Sequence, residues 1–97
     1  MGIDDYNSYL VDSLKDKEEA AEYLTECFKD SEEVFLLGLR NVVEANGGIG
    51  ELAKITDLNR ENLYRILSEG GNPKFSSLTS ILKALGFQIN INDKETA

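Results

Sequence analysis

The stretch "GELAKITDLNRENLYRILSEG", residues 50–70, decides the fold that we expect for this chain. It holds two short apolar patterns, over about 49–55 and about 59–68, joined by a brief link that contains Thr56 and Asp57. Apolar residues at this spacing let one short helix pack across a second. They are Leu52, Ala53, Leu58, Leu63 and Ile66. The stretch therefore predicts a helix-turn-helix unit.

Three residues indicate how the two helices of this unit meet. Ala53 is small, which allows the helices to approach each other closely. Asp57 stands at the turn position that most often holds Gly, and because Asp adopts left-handed backbone only at some cost, we expect slight strain there. Asn59 is a good N-cap for the second helix.

The outward face of the second helix carries side chains that can read a DNA groove. If its apolar residues Leu63, Ile66 and Leu67 face the core, its polar ones face solvent. Arginine can bond to guanine, asparagine to adenine, and glutamate can accept from a cytosine amino group. Flanking side chains and the backbone N–H groups of residues 48–50 suit phosphates. The residues predicted to contact DNA are Asn59, Arg60, Glu61, Asn62, Tyr64, Arg65, Lys74 and Ser76. The alternative is an ordinary pair of core helices with a solvated polar face.

Outside this unit the sequence predicts further helices. Helix-start signals stand at Asp16, Ser31 and Ser76, and stop signals stand at residues 46–48 and at Gly86. The apolar stripe of the helix after Asp16 predicts its core face, and it consists of Ala20, Leu24, Cys27 and Phe28. The fold class is all-α, with about five to six helices and one short C-terminal β-strand.

That strand is predicted by "FQINI", residues 87–91, where the apolar period changes from helical to alternating. Its apolar side carries Phe87, Ile89 and Ile91. A lone strand leaves its backbone N–H and C=O groups without partners, and pairing with the same strand of a twofold-related copy supplies them. We therefore expect a homodimer with these three residues in its interface. The alternative is an extended tail lying on its own core.

The chain is expected to form a single domain, residues 1–97, with segments of different character. They are an N-terminal arm or helix (1–15), an acidic helical half (16–46), the helix-turn-helix and the helix after it (47–86), the strand (87–91) and a frayed tail (92–97).

Charge is distributed unevenly along this chain, whose formal net charge is -8. Residues 1–46 hold 4 basic and 12 acidic side chains, whereas residues 47–86 hold 5 and 4. Most acidic side chains thus lie outside the predicted DNA-binding segment. Nonspecific affinity for DNA should nevertheless be weak and strongly salt-dependent. The acidic half also suggests a second role, the attraction of a basic partner protein. Solvated helix faces are the alternative.

Several classes of function are disfavoured by what the composition lacks. There is no His and Cys27 is the only Cys, so the usual zinc ligand sets and the commonest general base are absent. "GGIG", residues 47–50, lacks the Lys-Ser/Thr of a phosphate-binding loop. We expect no enzyme activity, no metal and no cofactor. Without an apolar run of the roughly 20 residues that span a bilayer, the chain is expected to be cytoplasmic and to have no membrane partner.

Four motifs give the chain a resemblance to a known family. They are "AEYL" (21–24), "ANGGIGELA" (45–53), "LYRILSEGGNPKF" (63–75) and "LKALGF" (82–87). Residues 21–91 as a whole resemble the addiction-module antidote proteins, which are small lambda-repressor-like helix-turn-helix proteins of the Cro and phage-repressor type. Such proteins are the antitoxins of type II toxin-antitoxin operons.

The resemblance implies a function beyond DNA binding. The chain would bind double-stranded DNA at its own operator, repress its operon, and neutralise a basic toxin similar to RelE-type ribonucleases. Arg60, Glu61, Tyr64 and Arg65 match the recognition-helix positions of the family. Asp57 and Asn59 depart from its usual Gly and Ser. We expect the toxin to contact the segment in which acidic side chains are densest. These side chains include Asp12, Glu18, Glu22 and Glu26. A stand-alone regulator, or an interaction module that has lost DNA binding, are the alternatives.

Overall fold

The computed structural model describes residues 3–94, with side chains from residue 8 onward, and the regular secondary structure within this range is α-helical. Its six helices are α1 (Ile3–Ser13), α2 (Lys17–Asp30), α3 (Glu32–Ala45), α4 (Gly48–Ile55), α5 (Arg60–Ile66) and α6 (Phe75–Ala84). The all-α prediction is confirmed, and the N-terminal segment is a helix. The last residues of the predicted frayed tail, 95–97, lie outside the described range. None of the described helices is long and apolar enough to cross a membrane.

Two of the predicted helix starts are confirmed by their hydrogen bonds. The carboxylate of Asp16 accepts from the backbone N–H of Glu19 at 3.0 Å, and the hydroxyl of Ser31 accepts from that of Val34 at 3.1 Å. Each bond satisfies one of the N–H groups that a helix start leaves without an intrahelical partner.

The prediction that Ser76 caps the last helix is wrong. The backbone of Lys74 is extended and its carbonyl accepts from the N–H of Leu78 at 3.0 Å, so α6 already begins at Phe75. Ser76 therefore lies in the first helical turn. The predicted stop is confirmed, because Gly86 follows the helix with a φ of 93°.

The core is organised around α3, which packs against α1, α2 and α4, while α4 packs in turn against α5 and α6. Three other parts of the chain each add one fully buried leucine or isoleucine to the core side chains of α3. These parts are α5, the residue after α5, and α6. The largest fully buried side chains are Leu14, Leu39, Leu63, Leu67, Ile81, Val42 and Val43. The described helices thus share one hydrophobic core.

The helices α2 and α3 approach most closely where Gly38 faces Cys27. A Cβ atom added at Gly38 would lie 2.7 Å from the Sγ of Cys27 and 3.2 Å from the ring of Tyr23. Cys27 is buried, which confirms its predicted place in the core. Glycine suits this position because a Cβ atom here would force the Cys27 side chain to shift.

Phe28 was predicted on the same core stripe as Cys27, and that prediction is wrong. Its side chain is 62% exposed. Ala20, Leu24 and Cys27 already fill the side of α2 that meets α3, which leaves Phe28 at the edge of that contact. There its ring meets that of Phe35 edge-on, with the centroids 5.5 Å apart.

The predicted C-terminal strand is not formed by residues 87–91 in this single chain. The N–H of Phe87 donates to the carbonyl of Leu82 at 2.9 Å, and its side chain packs half-buried against the core. Ile89 and Ile91 are exposed. A strand requires a hydrogen-bonded neighbour, and no described segment of the chain lies alongside to provide one. The predicted homodimer remains a prediction.

We expect Gly38→Ala to destabilise the fold by about 1 to 3 kcal/mol, because it overpacks the contact with Cys27. In a Cys27→Ala background the same change should cost less, since the sulfur is gone. Urea denaturation of the four proteins gives the coupling. Gly50→Ala is the control: it adds a methyl group in a helix with ordinary contact distances and should be neutral or stabilising. Equal effects of Gly38→Ala in both backgrounds would contradict the close approach.

Candidate nucleic-acid interface

The link between α4 and α5 is held by Thr56. Its Oγ1 donates to the carbonyl of Leu52 at 3.0 Å and accepts from the N–H of Leu58 at 3.2 Å. Its own backbone is extended, and no non-Gly residue of the described range has a positive φ. The expected left-handed strain at Asp57 is therefore wrong, because the hydroxyl of Thr56 organises the turn without it.

The helix α5 lies with its apolar side in the core. Leu63, Ile66 and Leu67, the residue after the helix, are buried, as predicted. Glu61 and Arg65 are exposed on the opposite side. Sequence periodicity thus identified the outward face of this helix correctly.

Two asparagines, one just before α5 and one within it, form hydrogen bonds with nearby residues of the same helix. The side-chain oxygen of Asn59 accepts from the N–H of Asn62 at 2.7 Å, so Asn59 is the N-cap that was predicted. The side-chain oxygen of Asn62 accepts in turn from a guanidinium N–H of Arg65. The guanidinium is consequently held along the outer surface of the helix, and its remaining N–H groups are left to other acceptors.

Four of the predicted DNA-contacting residues share one surface depression, with a volume of about 820 Å³. Asn62 and Arg65 contribute from α5, and Lys74 and Ser76 contribute from the start of α6. Residues 68–72, which connect the two helices, line the floor between them. The structure thus brings together groups that lie more than a helical turn apart in sequence.

The other predicted residues are not part of this depression. Arg60 lines a second depression together with Gly47 and with residues along α4 that include Glu51 and Lys54. Asn59, Glu61 and Tyr64 line neither of the two. The structure therefore brings four of the eight predicted residues together in one depression, and the other four lie outside it.

Two helix starts, those of α4 and α6, differ from the starts of α2, α3 and α5. Side chains cap α2, α3 and α5, whereas α4, whose N-cap is Gly47, and α6, whose N-cap is Lys74, have no side-chain cap bond. Their first N–H groups therefore remain available to an external acceptor. Such groups, together with the helix dipole, bind anions such as phosphate.

Arg40 belongs to this surface, although sequence analysis did not single it out. Its guanidinium carbon lies 5.8 Å from the centre of the Tyr64 ring, a distance at which a cation and an aromatic ring attract. Arg40 comes from α3, in the acidic half of the chain. No local pattern could have found it, because the two residues are separated by a whole helix and two turns.

The described residues offer little for metal binding or covalent chemistry. Within residues 8–94 no group of three or more His, Cys, Asp or Glu side chains is placed to hold a metal ion. Burial raises the pKa of the Cys27 thiol, partly offset by a hydrogen bond with Tyr23. Cys27 is therefore a neutral thiol in the core rather than a nucleophile.

The similarity of this chain to known proteins extends over nearly its whole length. Residues 5–93 match the family of probable addiction module antidote proteins. An uncharacterized protein of Haemophilus influenzae is 30% identical over 89 residues, which cover 91% of this chain and 91% of that protein. No solved structure matches the chain.

The connection that carries Lys74 and Ser76 depends on Gly71. A Cβ atom there would overlap the carbonyl oxygen of Ile66, which is backbone and cannot swing away. We expect Gly71→Ala to destabilise the protein by about 1 to 3 kcal/mol. Gly70 has a φ of 81° but open space around it, so Gly70→Asn should cost no more than about 1 kcal/mol. Thermal and urea unfolding measure both, and a Gly71→Ala protein as stable as the parent would contradict this geometry.

Proposed function

The chain belongs to the family of probable addiction module antidote proteins, and on that premise we propose that it is an antitoxin that binds double-stranded DNA and represses its own operon. Its partner would be a basic toxin similar to RelE-type ribonucleases. The antidote family suggests a non-enzymatic regulator. In this proposal the α4–α5 pair is a helix-turn-helix of the Cro and phage-repressor type, and the protein acts on DNA as a homodimer.

The observation that carries the DNA-binding proposal is the shared depression of α5 and α6. It places the Asn62–Arg65 pair of one helix beside Lys74 and Ser76 of the next. A duplex needs both kinds of contact, since side chains on base edges specify sequence and contacts to phosphates fix orientation. The depression offers candidates for each within one surface.

The roles follow from the position of each group. Arg65 and Arg60 would bond to base edges from the outer face and the exposed start of α5, with guanine as their best acceptor. The first turns of α4 and α6, which have no side-chain cap, would receive phosphates on either side. Asn62 would orient Arg65 by the hydrogen bond that already joins them. Glu61 would favour cytosine at its position.

The toxin-binding proposal rests on the acidic helices. Asp12 pairs with Lys15 at 3.3 Å, and Glu26 pairs with Lys29 at 3.3 Å, all four side chains being largely exposed. Such surface pairs contribute little, on the order of 0.5 kcal/mol. A basic partner can therefore replace these lysines at small cost. Glu18 and Glu22 lie on the exposed side of the same α2 helix.

We expect Arg65→Ala and Arg60→Ala each to weaken binding to the DNA upstream of the gene by about 1 to 3 kcal/mol per lost base contact. Fluorescence anisotropy with the natural and a scrambled duplex measures the loss, which should be larger on the natural one. Lys29→Ala, on α2, is the control and should leave affinity unchanged. If both variants bind the natural duplex as tightly as the parent, the two arginines make no base contacts; a parent that does not distinguish the natural from the scrambled duplex would make the chain an interaction module without specific DNA-binding function.

For the toxin, we expect the double change Glu18→Gln and Glu22→Gln to slow association with the basic product of the adjacent gene, by up to about tenfold at low salt. DNA binding should persist. The double change Glu32→Gln and Glu33→Gln, at the exposed start of α3, is the matched control, because it removes the same charge outside the expected contact. Stopped-flow association at two salt concentrations is the measurement. The absence of any complex with that product would leave a stand-alone regulator as the function.

A further inference from the structure

Arg40 is the one arginine in the acidic half of the chain, and it lies on α3, outside the α4–α5 pair. Its guanidinium carbon is 5.8 Å from the centre of the Tyr64 ring on α5. The side chain of Arg40 is half-buried, and that of Tyr64 is 47% exposed. A cation from the acidic half is therefore held against the candidate DNA-binding helix.

The charge of Arg40 is not neutralised by its own helix. Each of three lysines, Lys15, Lys29 and Lys54, pairs at 3.3 Å with a carboxylate three residues before it. Arg40 has a carboxylate one turn later, that of Glu44, but forms an ion pair with neither this group nor any other side chain that the structure describes. Its guanidinium therefore keeps both its charge and its N–H groups for an acceptor outside the chain.

The ring of Tyr64 positions this cation without using its hydrogen-bond donors. A cation and an aromatic ring attract through the face of the ring, and this attraction needs no N–H bond. The guanidinium is planar and carries five N–H donors in a fixed arrangement. Arg40 is thus restricted in position while its donors stay accessible, and an anion that it binds costs less side-chain entropy.

Arg40 and the depression described above lie on opposite flanks of α5. At about 100° per residue, Asn62 and Tyr64 are about 160° apart around the helix. Lys74 and Ser76 share the depression with Asn62, whereas Tyr64 is not part of it and contacts Arg40. The major groove is about 12 Å wide, admits one helix, and has a phosphate backbone on each side. A helix bound in it can therefore use a cation on both flanks.

We propose that Arg40, positioned by the ring of Tyr64, binds a backbone phosphate of the DNA on the flank of α5 opposite Lys74 and Ser76. This inference rests on the proposed function, because it adds a contact to the same DNA-binding surface. The contact carries no sequence information, since phosphates are the same at every base pair. It fixes the orientation of α5 between the two backbones, and this orientation decides which base Arg65 reaches.

A purely structural role for Arg40 would give a different result in solution. If Arg40 served only to hold Tyr64 and α5 on α3, its loss would lower the stability of the protein and release no fewer counterions from the DNA. A phosphate contact releases counterions, and this release appears in the salt dependence of the affinity. Salt dependence therefore separates the two roles.

The test is the affinity of the full chain for the natural and the scrambled duplex, by fluorescence anisotropy over a range of salt concentrations. Arg40→Gln should weaken binding to both duplexes by the same factor, about tenfold, as expected for a lost hydrogen bond between charged groups. It should also lower the slope of log affinity against log salt by about one for each bound copy. Arg40→Lys keeps the cation and should keep the slope of the parent.

Matched variants separate the contact from the effect of net charge. The double change Arg40→Gln and Glu44→Gln has the net charge of the parent but lacks the contact, so its slope should stay at the Arg40→Gln value. Tyr64→Leu should weaken binding less in the Arg40→Gln background than in the parent, because the ring acts partly through the arginine. Lys29→Gln removes one positive charge on α2 and should change neither affinity nor slope.

Circular dichroism should show unchanged folding in each variant, since Arg40 and Glu44 lie outside the buried core. A slope for Arg40→Gln equal to that of the parent would overturn the inference and leave the proposed function standing. Recovery of the slope by Glu44→Gln, or its loss in Arg40→Lys, would also overturn the inference. A parent that binds neither duplex would contradict both the inference and the proposed function.

Discussion

Burial of one side of α3 is the contact on which the other parts of this fold depend. Leu39, Val42 and Val43 are almost completely removed from water, and the helices that cover them are α1, α2 and α4. The acidic helices α1 and α2 therefore pack directly on α3, whereas α5 and α6 are connected to α3 through α4. Gly38 sets how closely α2 can lie against α3, and α4 then carries α5 and α6.

The helix α5 of the candidate DNA-binding surface is stabilised by its contacts with the rest of the protein rather than by its own length. With seven residues, α5 is far shorter than the roughly 12 to 15 that an isolated helix needs to be even marginally stable in water. Its shape comes from the burial of Leu63 and Ile66, from the Asn59 cap, and from Thr56 in the link before it. The outward side chains are free to serve recognition because none of them is needed in the core.

Sequence analysis correctly predicted the features that depend on residues within one or two helical turns of each other. The caps at Asp16, Ser31 and Asn59 could be read because each bond closes over three residues. The inward face of α5 followed from its period. The features that it predicted wrongly or missed depend on residues that are distant in the sequence. Phe28 fits the helical stripe but lies beyond the edge of α3, the 87–91 segment has strand periodicity but no strand beside it, and the contact of Arg40 with Tyr64 joins helices far apart in sequence. The resemblance identified the family, whereas periodicity alone would have given only a helical bundle.

The remaining question is how a chain with a net charge of -8 approaches a polyanion. The net negative charge is repelled by DNA, so under the proposed function the affinity would come from a few well-placed contacts and from the two copies of a dimer binding together. Under the proposed function the Asn62–Arg65 contact would serve this need, since an arginine already held in place loses less side-chain entropy on binding. Under the proposed function, a basic toxin bound to the acidic helices would also cancel much of the repulsion. The complex should then bind DNA more tightly than the antitoxin alone, and the difference should shrink as salt is raised, because salt screens the repulsion that the toxin removes.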